Sequence, residues 1–229
     1  MNLSKKGLIV SCYASYDINS GMDDSYIMTK IAQESVLGGA VAIRTNLEHV
    51  SAIKKSIQVP VIGIKKIAKG DGFRITPTMT EVDQLVNAGA DLIAIDATHR
   101  ERYDDLTLEE FIKSIRAKYP DLGLIGDIST LEEGITAFSY GLDYVGTTLS
   151  GYTPYSKNPI VFNQVPIPEP DFEIIEDLVK NGVNKIIAEG RYSSNEHYRK
   201  ALDLGASFIV VGTMVTNPRA IVKNIVLED

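Results

Sequence analysis

The chain has 229 residues, 44% of them hydrophobic and 23% charged, proportions that exclude a disordered protein and fit one soluble globular domain over 1–229. Lys plus Arg number 23 and Asp plus Glu 30, a net charge of −7 that argues against a nucleic-acid partner, because phosphate contacts need a basic surface. No apolar run approaches the roughly eighteen residues of a membrane span, so a cytoplasmic protein with no membrane partner is expected.

Lys5-Lys6 ahead of the apolar run 7–14 has the charge order of an export leader. That run is broken at Ser11 and is followed by no small-x-small cleavage site, so 7–11 reads as a first strand. Further β-branched runs predict strands at 41–44, 61–64, 91–95, 123–126, 143–146, 185–188 and 207–211. Most are continuously apolar, as parallel strands covered on both faces are. Between them lie segments with helical spacing, such as Leu85, Val86 and Ala90, or Leu108, Phe111, Ile112 and Ile115.

Ser/Thr-x-x-Glu capping boxes predict helix starts at Thr45/Glu48, Thr78/Glu81, Thr107/Glu110, Ser129/Glu132 and Ser193/Glu196. Thr216-Asn217-Pro218 opens the last helix with a first-turn proline. Gly39, Gly89, Gly141, Gly182 and Gly205 stand where helices end, supplying the left-handed turn into the next strand. Gly70-Asp71-Gly72 reads as a turn.

Eight such units, with no interdomain linker and no Gly-x-Gly-x-x-Gly after the first strand, favour a closed α/β (β/α)₈ TIM barrel over an open doubly wound sheet. The segment 148–170, rich in Pro, Gly, Ser and Tyr, interrupts the rhythm after strand six. Loops of that length are usually lids or binding loops, and this one belongs on the C-terminal face of the barrel.

In this fold, chemistry sits at the C-terminal strand ends. Those ends carry Arg44, Lys65-Lys66, Asp96, Asp127, Thr147-Thr148, Glu189 and Gly212-Thr213. Any one of these taken alone reads as a loop-end charge or a salt bridge; a ring of Arg, Lys and three carboxylates at equivalent positions reads as a site. Side chains alternate along a strand, so only one of Lys65 and Lys66 faces the mouth. The seventh and eighth units are the usual phosphate site of the fold. Here they offer Gly190, Arg191, Gly212 and Thr213.

The three histidines, His49, His99 and His197, are far apart and no Cys-x-x-Cys pair exists, so no metal site is expected. Cys12 is the only cysteine, which excludes an intramolecular disulfide and points to a reducing compartment. It reads as a small core residue. What remains is a Lys and a Glu on separate strands, an Arg, and a phosphate grip. That set suits proton abstraction next to a carbonyl in a phosphorylated small molecule. A lysine acts as a base only where burial or a nearby cation keeps part of it neutral, and Lys65 is the expected source of that push on Lys66.

The strings Gly7–Cys12, Gly39–Arg44, Pro60–Lys66, Ile75–Val82, Asp96-Ala-Thr98-x-Arg100-x-Arg102, Asp127-Ile-Ser129, Val145–Thr153, Ala188-Glu-Gly190 and Val210-Val-Gly212 resemble the N-acylglucosamine-6-phosphate 2-epimerase family over nearly the whole chain. The resemblance implies a barrel that interconverts N-acetylmannosamine 6-phosphate and N-acetylglucosamine 6-phosphate in amino-sugar and sialic-acid catabolism, with neither metal nor nucleotide as cofactor. It places the catalytic lysine at Lys66 and the second acid/base at Glu189. Arg44 and Asp127 match sugar-contacting positions and Gly190 and Gly212 the phosphate loops, with Thr147, Arg191 and Thr213 beside them as substrate-binding candidates. A homodimer is expected only because the family tends that way.

Three segments depart from the family pattern: Tyr13 stands where Gln is usual, Ile67-Ala68 follow the lysine in place of Arg/Lys-Asp-Tyr, and Asn217 replaces an Arg, for which Arg219 and Arg191 are the candidate substitutes; if neither serves, affinity or specificity has changed. They leave two rival functions open. One is a diverged isomerase or lyase of the phosphate-binding barrels, such as a ribulose-phosphate epimerase, a thiamine-phosphate enzyme or a tryptophan-pathway enzyme. The other is a non-catalytic phosphosugar-binding protein.

Overall fold

Eight of the apolar runs are strands, and they pair in parallel to close a barrel. The computed structural model describes residues 3, 5–13, 21–69, 72–161 and 167–226. In chain order the elements are β1 (Gly7–Cys12), α1 (Ser25–Leu37), β2 (Ala42–Asn46), α2 (Leu47–Lys54) and β3 (Val61–Ile64). A hairpin follows, β4 (Lys66–Lys69) with β5 (Gly72–Ile75), then α3 (Met79–Ala88), β6 (Leu92–Asp96), α4 (Leu108–Lys118), β7 (Gly123–Asp127), α5 (Leu131–Ser139) and β8 (Tyr144–Gly146). The chain ends through α6 (Glu173–Lys180), β9 (Ile186–Glu189), α7 (Asn195–Asp203), β10 (Phe208–Val211), α8 (Thr213–Thr216) and α9 (Pro218–Ile225). Around the barrel the order is β1, β10, β9, β8, β7, β6, β3, β2. The expected TIM barrel is therefore the fold. Among the described residues no helix is long and apolar enough to cross a membrane.

Two apolar layers hold the barrel, and strand alternation sorts residues between them. Ile9, Ala42, Ile62, Leu92, Ala94, Ile125, Ile187 and Phe208 fill the interior. Their neighbours Val10, Ile43, Val61, Ile93, Ile95, Leu124, Ile186 and Ile209 pack outward against the helices. This phase fixes what stands at the mouth: two residues beyond Ala42 is Arg44, beyond Ala94 is Asp96, beyond Ile125 is Asp127 and beyond Ile187 is Glu189.

The hairpin is the element that the strand pattern did not predict. Its two arms pair antiparallel, with Lys66 opposite Ile75 and Ala68 opposite Phe73. The Thr76 N–H donates to the Lys65 carbonyl at 2.6 Å and the Lys65 N–H to Thr76 Oγ1 at 3.1 Å, closing its base. Gly70 and Asp71 of the expected turn lie outside the described residues.

Helix starts follow the sequence with shifts of one residue. The boxes at Thr78/Glu81 and Thr107/Glu110 form as expected. The box at 129/132 gives way to Thr130/Glu133, because the fully buried Glu133 also accepts from the Ser129 and His99 N–H groups. Ser194, not Ser193, caps α7. Thr45 caps nothing: its buried hydroxyl donates to the Cys12 carbonyl, and Asn46 precedes α2 without a side-chain cap bond. Asn217 and Pro218 open α9 as expected, the Asn217 side-chain carbonyl accepting from the Ala220 N–H at 3.0 Å. All five helix-ending glycines have positive φ.

Candidate active site

A cavity of about 350 Å³ opens at the C-terminal end of the strands. Lys66, Thr148 and Glu189 stand on its wall. Gly190, Arg191, Gly212 and Thr213 line it where the last two units end. Arg44 and Asp127 lie beneath, 2% and 0% exposed. They form a two-point pair, Nη2 to Oδ2 at 2.6 Å and Nη1 to Oδ1 at 3.2 Å, and Nη1 is also 3.4 Å from Glu189 Oε2.

Gly146 makes room for this cluster. A Cβ there would stand 2.7 Å from Asp127 Oδ1 and 3.3 Å from Thr148 Oγ1. The Thr148 hydroxyl donates to Asp127 Oδ1 at 2.7 Å, and its oxygen lies 3.1 Å from Glu189 Oε2. A hydroxyl has one proton, so Thr148 donates to one of these two carboxylates at a time, and donation to Glu189 favours its charged form.

Lys66 and Glu189 are shifted toward each other. Burial lowers the Lys66 amine from the usual lysine range to about 7, and the Arg44 cation pushes the same way, against Glu189 and Asp127. Burial raises the Glu189 carboxyl, helped by the Asp127 charge and opposed by Arg44, Lys66 and Thr148. The amine can therefore give or take a proton near neutrality, and the raised carboxyl is a better proton donor than an exposed glutamate at the same pH. The expected source of the push on Lys66 is corrected: the cation is Arg44, because Lys65 turns away and pairs with Glu48 on α2.

Thr147 stands off the cavity wall. Its hydroxyl accepts from the Glu189 N–H and donates to the Glu189 carbonyl, both at 2.9 Å, bracing the strand end that carries the carboxylate. Asp96 faces inward too, but it is occupied by Arg100 at 2.5 Å and by the Thr98 N–H and hydroxyl. Arg191 adopts φ +68°, a left-handed conformation costly for a side-chain-bearing residue. Its guanidinium donates to the carbonyls of Ser150 and Glu169, tying the two described ends of the 148–170 segment together over the cavity.

Of the pair Thr147-Thr148 at the sixth strand end, site reasoning from sequence took Thr147, and it missed Phe73 and Lys223; Thr148, Phe73 and Lys223 all stand on the cavity wall with Arg219. Thr148 follows Tyr144 and Gly146 at the inward spacing, which distinguishes it from Thr147. Phe73 came with the unforeseen hairpin, and Lys223 lies one turn beyond Arg219 on α9. Cys12 is buried, and burial pushes its thiol up to about 12, the behaviour of a core residue. His49 bonds Ser25 Oγ at 2.8 Å and Asp23 at 2.9 Å, but the first amides of α1 are taken by Asp24, so that helix start is not an oxyanion site. No three His, Cys, Asp or Glu side chains among the described residues gather as a metal site.

Residues 28–228 match the family described as "Putative N-acetylmannosamine-6-phosphate epimerase". The chain belongs to this family. It is 46% identical over 224 residues to a relative from Caldanaerobacter subterraneus subsp. tengcongensis, covering 97% of this chain and 90% of that protein. It is 42% identical over 222 residues to one from Staphylococcus haemolyticus, covering 96% of each. Both carry the name "Putative N-acetylmannosamine-6-phosphate 2-epimerase". The solved structure of the N-acetylmannosamine-6-phosphate 2-epimerase from Clostridium perfringens superposes with a TM-score of 0.84 at 42% identity, over 95% of this chain and 91% of that one. Thiamine phosphate pyrophosphorylase from Pyrococcus furiosus, at TM-score 0.56 and 16% identity, shares the fold alone. Against that family the departures at Tyr13 and Asn217 have a structural setting: Tyr13 lines the cavity, and Asn217 lines it while capping α9.

Proposed function

We propose that the protein is a cytoplasmic epimerase that interconverts N-acetylmannosamine 6-phosphate and N-acetylglucosamine 6-phosphate in amino-sugar catabolism, by moving the proton on C2. The observation that carries this reading is the meeting of Lys66 and Glu189 at one cavity with opposed shifts, the amine brought down to about 7 and the carboxyl raised. Membership of the family supports it.

In the open-chain sugar the C1 aldehyde makes the C2 hydrogen acidic. One of the two groups takes that proton as the C–H electrons pass into the enolate. The other returns a proton to C2 on the opposite face, inverting it. The pair ends with its proton exchanged between members, which is the state the reverse reaction starts from. Arg44, beneath both, stabilises the negative charge that the pair and the enolate share. The phosphate belongs at the far end of the cavity, where Gly190, Gly212 and Thr213 bring backbone amides close and Arg191, Arg219 and Lys223 bring charge. Family habit extends the reading to a homodimer, which sedimentation equilibrium tests.

Incubation with N-acetylmannosamine 6-phosphate in deuterated water, followed by NMR at C2, tests the chemistry. Deuterium entering C2 as the gluco form accumulates is the expected result, with Lys66→Met and Glu189→Gln abolishing it while binding survives. Binding without exchange in the wild type would replace this reading with a phosphosugar-binding protein. Exchange with a different product would replace it with a diverged isomerase.

A further inference from the structure

Lys66 Nζ stands 3.9 Å from the centre of the Tyr13 ring and 5.0 Å from that of Phe73. Both rings are carried on pinned backbone. Tyr13, the residue after β1, donates its N–H to the Ser11 carbonyl at 3.0 Å, and its own carbonyl accepts from Thr216 Oγ1 at 3.0 Å. The Phe73 carbonyl accepts from Arg100 Nη1 at 3.1 Å, and Arg100 is in turn paired with Asp96. The frame therefore fixes the backbone positions from which both rings reach the Lys66 amine.

We propose that Tyr13 is a positioning residue for Lys66, its ring face and that of Phe73 bracketing the amine so that Nζ is presented to the cavity that Glu189 also lines. This rests on Lys66 being one of the two proton-transfer groups. The charged groups acting on the amine are Arg44 from β2, Asp127 from β7 and Glu189 from β9. The rings differ from all three in attracting an ammonium through their π faces while carrying no charge themselves. They favour the protonated amine and hold it in place, and the carboxyl remains available to titrate. The tyrosine hydroxyl has no part in this, so phenylalanine should substitute for it and an aliphatic residue should not.

The test is a titration of Lys66 Nζ by NMR in protein labelled with ¹⁵N at lysine side chains, the resonance assigned by its loss in Lys66→Met. Beside it runs the alkaline limb of kcat/KM for C2 exchange, where the ammonium gives up its ionising proton. Tyr13→Leu is expected to move both about one pH unit lower, the equivalent of one desolvated cation–π contact. Tyr13→Phe should leave both in place. Phe73→Leu is expected to shift them by less, since its ring is farther away; it also provides the comparison should Tyr13→Leu fail to fold. An unmoved Nζ titration in Tyr13→Leu overturns the proposal, and so does a Tyr13→Phe variant that behaves as Tyr13→Leu does. Because Nζ is read without turnover, a wild type that shows no C2 exchange would remove the epimerase reading and leave the bracketing supported if Nζ still shifts.

Discussion

The Arg44 guanidinium stands 3.4 Å from Glu189 Oε2 while both of its ends hold Asp127, so one buried cation serves two carboxylates and also depresses the lysine beside them. Its removal has a signed consequence. Arg44 lowers both Lys66 and Glu189. In Arg44→Met both groups therefore rise, and both limbs of the pH–rate profile for C2 exchange should move to higher pH. Asp127 is left buried without its partner, a loss of roughly 3–5 kcal/mol in comparable pairs. Urea unfolding at neutral pH should register that loss. A profile that keeps its limbs, or moves them to lower pH, would show that Arg44 is not the cation acting on this pair.

Lys66 makes a second pH dependence, in stability. Its pKa in the folded protein is about 7, below the lysine value of 10.5 that the unfolded chain restores. Between those two pH values the unfolded state binds the extra proton, so this group's contribution to stability is full above about 10.5 and is lost as pH falls to about 7. Burying the amine therefore costs a few kcal/mol near neutrality, at about 1.4 kcal/mol for each tenfold loss of proton affinity. Lys66→Met relieves that cost. The variant should gain stability relative to the wild type at pH 7, and the gain should shrink steadily toward pH 10. Groups on which Lys66 does not act cancel in the difference; Glu189, which Lys66 lowers, is the exception. A gap between the two urea midpoints that stays constant with pH would refute the buried-amine account.

The phase of the barrel strands explains how much of the site was legible from sequence. Continuous apolar runs gave the eight barrel strands nearly to the residue, because parallel strands covered on both sides leave few polar interruptions. They could not give the face of each residue, since inner and outer layers are both aliphatic. Once Ala42, Ala94, Ile125 and Ile187 are known to point inward, Arg44, Asp96, Asp127 and Glu189 follow at two-residue spacing. The lysine choice escapes this rule because Lys66 is on the hairpin rather than on β3. Family resemblance selected it, and the Lys65–Glu48 pair shows the physical reason. Capping boxes slipped by one where a neighbouring hydroxyl was equally close in sequence, as at Ser129 and Thr130.

Thr147 and Thr148 are chemically identical and adjacent, and opposite phases give them different work. Thr148→Val removes the hydroxyl between Asp127 and Glu189, which lowers the Glu189 pKa. Glu189 should then rise further and the acid limb of C2 exchange should move up, with kcat down about tenfold for a lost hydrogen bond to a charged group. Thr147→Val instead strips the bond from the Glu189 N–H and carbonyl. It should cost about 1–3 kcal/mol in urea unfolding, as for a buried polar group left unmatched, with the limbs of the profile unmoved. Exchanged phenotypes would mean that the inward phase has been assigned to the wrong threonine.

Arg191 brings the long segment after β8 to the same cavity. Its left-handed backbone is held by donation to the Glu169 carbonyl at 2.8 Å and the Ser150 carbonyl at 2.9 Å, one at each side of that segment. Arg191→Gly relaxes the backbone and releases the clasp together, whereas Arg191→Lys keeps a charge near the proposed phosphate end but loses the planar fork that reaches two carbonyls. If the arginine acted mainly as a phosphate-binding charge, lysine would restore much of the affinity. The clasp predicts otherwise: both variants should raise KM for the phosphosugar by similar factors with kcat nearly unchanged, and both should speed proteolysis within 148–170. A lysine variant with wild-type KM and wild-type resistance to protease would transfer the role of Arg191 from holding the segment to holding the anion.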